Sequence, residues 1–226
     1  GIKASGHDGY SSQIFKDSWD IVGEEVTQAI QSAFNSGKIL KQLNSTTICL
    51  IPKVDNLESV SHFRPIACCN TLYKCLSKIL CAGLGEILPT IINPTQGAFI
   101  RGRDIVGNVL ICQDLVRLYG RKTCSSRVIM KLDLQKAYDS VAWEFLRGML
   151  IGLNFPDKII NIILQCLTAT TYTLSLNGEI FGFFKGRRGL RQGDPLSPLI
   201  FTLCLDYFSR LLKVTQQHPL FGYHPL

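Results

Sequence analysis

Three short stretches carry residues whose types and spacing could do chemistry. The first is "IMKLDLQKAYDSV", residues 129–141, which sets Asp133 at the end of an apolar run. A carboxylate there is costly to bury alone, and a bound metal ion is one way to offset that cost. Spacing alone favours a plainer reading, in which Lys131 or Lys136 pairs with Asp133 at the surface. Asp139, just ahead of a helical pattern, reads as that helix's N-cap.

The second stretch is "GLRQGDPLSPLIF", residues 189–201. Glycines on either side of Gln192 let backbone approach a ligand closely, and "DPLSP" breaks and restarts a helix. The basic residues beside it, Lys185, Arg187, Arg188 and Arg191, suit phosphate, with a solvated charge run as the ordinary alternative. The third stretch pairs Lys53 of "IPK" with Arg64 of "RPI". A lysine at a strand end and an arginine before a proline-fixed return put two cations on a hairpin tip. Two such cations can grip a triphosphate, the arginine bidentately.

These groups need elements to hold them. Helical spacing runs over residues 12–36 and ends at the Ser36–Gly37 step. "TTICLIPK" reads as a strand that stops at Pro52. A helix is expected from Asn70 to Leu88, closed by Pro89, and another over "DIVGNVLICQDLVRLYG" with Gly120 at its cap position. "RVIMKLDL" reads as a buried strand with Asp133 at its lip. Two more helices are expected near 140–152 and 156–168, the second with Pro156 in its first turn. "TYTLSLNGEIFGFFK" alternates on both sides of Asn177–Gly178, the strongest hairpin signal in the chain, and a last helix covers about 196–213. Helices mixed with an antiparallel hairpin and a separate strand imply an α+β layer arrangement.

Composition sets the bounds. The chain has 226 residues, 46% of them hydrophobic, which suffices for one large domain or two small ones. A net charge of +7 suits a polyanionic partner, although many proteins without one share it. The nine cysteines are scattered without a C-x-x-C pair and read as reduced core thiols. No signal peptide and no apolar run of membrane length is visible, so an intracellular protein, nuclear or cytoplasmic, without a membrane partner is expected.

Order sharpens the reading. "IPK…FRPI", "INPTQGAFIRGRD", "KLDLQKAYDSV", "NG" and "RGLRQGDPLSPLIF", in this sequence, resemble the reverse transcriptase of plant non-LTR (LINE-type) retrotransposons. The likeness runs from "GHDGY" to "FGYHPL", with His7 where the family usually has Pro and Gly97 where Ser is common. A group II intron maturase shares most of these motifs, but "SVSHFRPI" and "GLRQGDPLSP" favour the LINE type. A decayed, non-catalytic remnant that at most binds nucleic acid is the other alternative.

The resemblance implies a polymerase right-hand fold with fingers, an incomplete palm and no thumb. Residues 1–125 would form an N-terminal extension and fingers with part of the palm, and 126–226 the rest of a partial palm. It implies that Asp133 is a catalytic metal ligand, joined by the backbone carbonyl of Leu134, for two Mg²⁺ (or Mn²⁺) ions. Tyr138 would stack under the sugar of the incoming nucleotide and exclude a 2′-hydroxyl. Lys53 and Arg64 would hold the triphosphate, and Gln192 and Gly193 would touch the nascent pair. The implied partners are an RNA template, a DNA primer or target DNA, and dNTPs. Two ions about 4 Å apart need more than one carboxylate. The family supplies the others from an aromatic-Ala-Asp-Asp hairpin, and this chain has no Asp-Asp pair. The sequence is therefore expected to stop shortly before that hairpin.

Overall fold

The computed structural model describes residues 6–117, 119, 128–215 and 217–220. The expected N-terminal helix is split at Ser18 into α1 (Ser12–Asp17) and α2 (Trp19–Ser36). Gly37 ends α2 with φ 67°, its N–H bonded to the Ala33 carbonyl at 2.9 Å, a left-handed cap that glycine adopts without strain.

Strand β1 (Ser45–Pro52) turns through a short 3-10 segment at Val60–His62 into β2 (Phe63–Cys69). The long helix α3 (Thr71–Ile91) and α4 (Val106–Arg117) follow. After a four-residue turn of helix, α5 (Ala137–Ser140), come α6 (Trp143–Gly152) and α7 (Asp157–Thr168). The hairpin β3 (Thr171–Leu176) and β4 (Glu179–Lys185) leads to α8 (Ser197–Thr215). Asn177 and Gly178 both have positive φ (51° and 86°), as a two-residue type I′ turn requires.

The sheet runs β2-β1-β3-β4. Both hairpins are antiparallel, while β1 and β3 pair in parallel from Ser45↔Thr171 to Cys49↔Ser175. A parallel pair needs a long crossover, here the whole stretch between the two hairpins. The architecture is α+β with a small sheet, as expected.

The core lies among helices. Tyr73, Leu76, Leu80, Leu84 and Leu88 form one buried stripe of α3. Leu146 and Leu150 of α6, Ile162, Ile163 and Cys166 of α7, and Ile200 and Leu203 of α8 meet it in a single cluster. Each such aliphatic burial is worth roughly 1.5–3 kcal/mol.

Several expectations are corrected. Pro89 does not close α3, which runs on to Ile91. Arg103 bonds the carbonyls of Pro89, Ile92 and Asn93, and Arg210 bonds that of Ile91, so the last turn is held from outside. Residues 128–134 form no strand and are exposed, because no described strand lies alongside them to take their backbone hydrogen bonds. Asp139 lies inside α5 and caps nothing; Ala142 precedes α6. Pro156 stands just ahead of α7 and not within its first turn. Gly120, Arg127 and "FGYHPL" lie outside the described residues.

Candidate active site

The hairpin β1–β2 delivers the two expected cations to one end of the sheet. Ile51 pairs with Arg64, and the ladder continues past the strand end as the Lys53 N–H bonds the His62 carbonyl at 2.8 Å. Opposed residues share a face and so do residues two apart, so Lys53 and Arg64 stand on the same face. Both are exposed. Lys53 Nζ donates to the Ser61 carbonyl at 2.9 Å, which leaves two of its three donors for a ligand.

The loop after β4 is docked on two sides. Toward α5, the Gly189 N–H donates to the Val141 carbonyl at 2.7 Å and the Leu190 N–H to the Tyr138 carbonyl at 2.9 Å. Trp143 Nε1 donates to the Gly189 carbonyl at 2.8 Å. Toward the sheet, the Ala67 N–H of β2 donates to the Gln192 carbonyl at 2.7 Å. Gly193 has φ 108°, and a Cβ there would stand 2.9 Å from the Ala67 carbonyl oxygen and 3.5 Å from Ile66 Cγ2. Glycine is needed at this position for both conformation and space. Ile66 lies two residues beyond Arg64, on the same face.

Inside the loop, Arg191 is not at the surface. Only 3% of it is exposed, and its guanidinium lies 2.9 Å from the Asp194 carboxylate. Arg191 Nη1 also donates to Asn44 Oδ1 and Thr46 Oγ1, each at 3.0 Å, and Nη2 to the Cys166 carbonyl at 2.8 Å. Its Cζ lies 4.0 Å from the centre of the Tyr73 ring. Asp194 accepts from Tyr73 Oη (2.5 Å), Ser77 Oγ (2.8 Å) and the Leu196 N–H (3.0 Å). Burial, with the Asp194 charge second, pushes the Tyr73 hydroxyl well above its usual range. Burial alone would lower the Arg191 pKa, but Tyr73 and Asp194 outweigh it and keep the guanidinium charged. The expectation that Arg191 faces phosphate is therefore corrected: its Nη donors are spent inside the protein, and its Nε, though without a partner, is buried too. Lys185, Arg187 and Arg188 remain exposed, as expected.

Tyr138 packs its ring against Phe201 of α8, centroids 5.0 Å apart at 77°. Burial raises its hydroxyl pKa. Asp133 and Leu134, both exposed, rim a cavity of about 430 Å³ whose wall includes Ser140, Phe145, Phe201 and Phe208. Phe201 thus touches both the Tyr138 ring and the Asp133 cavity. Neither Lys131 nor Lys136 pairs with Asp133, contrary to the surface pairing that spacing favoured.

Asp133 and Phe201 thus share one cavity, Phe201 packs on Tyr138, and the loop bonded to Tyr138 at Leu190 reaches through Gln192 to Ala67, on the strand bearing Arg64. Residues 51–223, which include all of these positions, match the family described as reverse transcriptase (RNA-dependent DNA polymerase). The chain belongs to the reverse transcriptase family.

Proteins of transposable elements are among its relatives. It is 28% identical to the Transposon TX1 uncharacterized 149 kDa protein of Xenopus laevis, over 93% of this chain and 16% of that protein. It is 32% identical to the Retrovirus-related Pol polyprotein from type-1 retrotransposable element R2 of Popillia japonica, over 74% of this chain and 23% of the relative. It is 28% identical to the corresponding polyprotein from type-2 retrotransposable element R2DM of Drosophila melanogaster, over 78% and 16%. The sequence is a reverse transcriptase domain of the non-LTR retrotransposon kind, spanning about a sixth to a quarter of the relatives it matches.

In this reverse transcriptase, the described residues do not by themselves make up a two-ion centre. No group of three or more His, Cys, Asp or Glu able to hold a metal is found among them. Asp133 and the Leu134 carbonyl are two hard oxygen donors at a cavity rim, fewer than such an ion requires. Among the described residues, no helix is long and apolar enough to cross a membrane.

The Arg191–Asp194 pair is the feature that sequence reading missed. Its signal was faint: two opposite charges three apart, between Leu190 and Leu196, in a loop otherwise built of Gly, Gln and Pro.

Proposed function

We propose that this chain is the nucleotide-binding and template-binding part of an RNA-directed DNA polymerase of LINE type, comprising fingers and part of the palm. In this reading residues 1–125 form the N-terminal extension and fingers with part of the palm, and 126–226 the remaining palm segment. The parent, of the plant LINE kind, copies an RNA template from a DNA primer or nicked target end with dNTPs.

The observation that carries the reading is the double docking of the 189–193 loop. One side of it is fixed to the backbone beside Tyr138 and the other to β2, the strand of Arg64. About 10 Å of β2 separates Arg64 from Ala67, a span that suits a nucleotide held at both ends. Lys53 and Arg64 take the triphosphate, Tyr138 lies under the sugar, and Gln192 with Gly193 meets the base pair. Asp133 and the Leu134 carbonyl contribute to a Mg²⁺ (or Mn²⁺) centre whose other carboxylates belong to a further part of the parent polypeptide. Such ions activate the primer hydroxyl and stabilise the leaving pyrophosphate.

The test is primer extension on an RNA template by the parent polypeptide. Arg64→Gln and Lys53→Gln should each raise the KM for dNTP roughly tenfold or more, since a charge-assisted contact is worth about 1.5–3 kcal/mol. Unchanged KM values for both variants would refute this placement of the triphosphate.

A further inference from the structure

Strand β4 is exposed along its whole length and is unusually aromatic. Phe181 and Phe184 are 47% and 49% exposed. The two residues are three apart and in a regular strand would point to opposite faces. Here the register jumps: Leu174 pairs with Phe181, and the next pair is Tyr172 with Phe184. Gly182 and Phe183 together oppose Thr173, a bulge made possible by Gly182 at φ 59°. Phe181 and Phe184 are thereby brought to the face that carries Tyr172 and Leu174. The rings of Phe184 and Tyr172 are stacked, 5.6 Å apart and 22° from parallel. Tracing the register through β1 places this face opposite the one that carries Lys53 and Arg64.

Cations follow directly. Lys185, Arg187 and Arg188 are exposed and enter no ion pair among the described residues. They stand on a loop anchored at its far end by Gly189 and the buried Arg191. An aromatic face bordered by unpaired cations matches a strand with flat bases and a phosphate backbone. A protein partner of acidic character would use the cations but has no particular need of a flat, two-ring face.

We infer that this bulged strand and its basic loop form a stacking platform for unpaired nucleic acid, separate from the nucleotide pocket. The inference rests on reading the chain as a reverse transcriptase domain. Bases lie on Phe181 and Phe184, and phosphates meet Arg187 and Arg188 of the loop, while Lys185, paired with Thr171, stands on the other face of the strand. Stacking needs unpaired bases, so the platform prefers a single strand to a duplex.

The experiment titrates the 226-residue chain with a labelled uridylate strand of about a dozen nucleotides, and with an RNA–DNA hybrid of the same length, across a range of salt. Phe181→Ala and Phe184→Ala should each weaken single-strand binding about tenfold, leaving hybrid binding and the salt slope unchanged. Phe184→Tyr should bind as the unaltered chain does, whereas Phe184→Leu should behave like the alanine variant. Arg187→Gln with Arg188→Gln should weaken both probes and flatten the single-strand slope of log K against log salt by about 1.4. A deoxythymidylate strand should depend on the phenylalanines in the same way, since the contact is with the ring of the base. Unchanged single-strand affinity in the phenylalanine variants, equal loss on both probes, or full binding by Phe184→Leu overturns the platform. So does a change in oligomeric state alone, which would mark a protein interface. Failure of the unaltered chain to bind either probe also overturns it, while the polymerase reading stands or falls separately on primer extension.

Discussion

The Arg191 guanidinium and the Asp194 carboxylate meet at 2.9 Å with both side chains sealed from water. Neither charge can be solvated, so each depends on the other and on the neutral groups around them. Those groups come from α3, β1, α7 and the segment before β1, and the pair therefore fixes the loop bearing Gln192 against four parts of the fold.

Breaking that pair on one side should be costly. Asp194→Ala strands a buried guanidinium and should lower stability by about 3–5 kcal/mol in urea titration. Replacing both residues with apolar ones, Arg191→Met with Asp194→Leu, should recover much of the loss. If the double variant is as unstable as the single one, the burial cost has been misjudged and the network acts through its neutral hydrogen bonds.

Gly193 gives a steric test. Gly193→Ala puts a methyl group 2.9 Å from the Ala67 carbonyl at a φ of 108°, whereas Gly37→Ala, at φ 67°, meets nothing within 4 Å. The Gly37 change should cost about 1–2 kcal/mol, that of left-handed backbone alone. The Gly193 change should cost more and speed hydrogen exchange at the Ala67 amide. Equal costs would show that the loop can back away from β2 freely.

Alkaline pH should unfold the chain through its buried thiols. Burial pushes Cys166 up from the ordinary 9.0 to about 12. The folded protein thus holds this proton more tightly than the unfolded one. The stabilisation is complete below pH 9 and is lost as pH climbs toward 12, at about 1.4 kcal/mol per pH unit for this thiol. Cys166→Ala should make the fall of unfolding free energy above pH 9 shallower by that amount. Cys204, also pushed up to about 12 by burial, keeps the remaining slope from vanishing. An unaltered slope would show that Cys166 is not among the groups that titrate.

How far the sequence was readable depended on where the determining contacts lie. The β3–β4 turn and the end of α2 are set by neighbours within a few residues, and the Lys53–Arg64 hairpin by strands adjacent in sequence, and those expectations match the structure. Local pattern failed where distant groups decide. Pro89 ended a helix on paper, but Arg103 and Arg210 hold the next turn from elsewhere in the chain. "VIMKLDL" has the composition of a strand, yet a strand also needs a neighbour, and none of the described ones adjoins it. Arg191 resembled its basic neighbours because nothing local shows that its partners are Asn44, Thr46 and Cys166. The bulge that turns Phe181 and Phe184 to one face interrupts the period of two on which strand reading rests.

Shape selection at Tyr138 is testable in the parent polypeptide. Its ring is braced by Phe201 at 5.0 Å, so it cannot swing away from a bulky sugar without disturbing α8. Tyr138→Val should admit ribonucleotides, lowering the dNTP to rNTP preference at least tenfold. An unchanged ratio would remove Tyr138 from the nucleotide site.

Asp133 offers the most direct measurement: metal-dependent primer extension on an RNA template by the parent polypeptide and by its Asp133→Asn variant, with hybrid affinity measured alongside. Asp133 is exposed at a cavity rim and in no ion pair, so the substitution should leave folding intact. The expected result is loss of extension by three or more orders of magnitude, a barrier rise of about 4 kcal/mol, with hybrid binding within about twofold of the unaltered protein. Extension by Asp133→Asn at the unaltered rate would contradict the assignment of this chain's catalytic carboxylate.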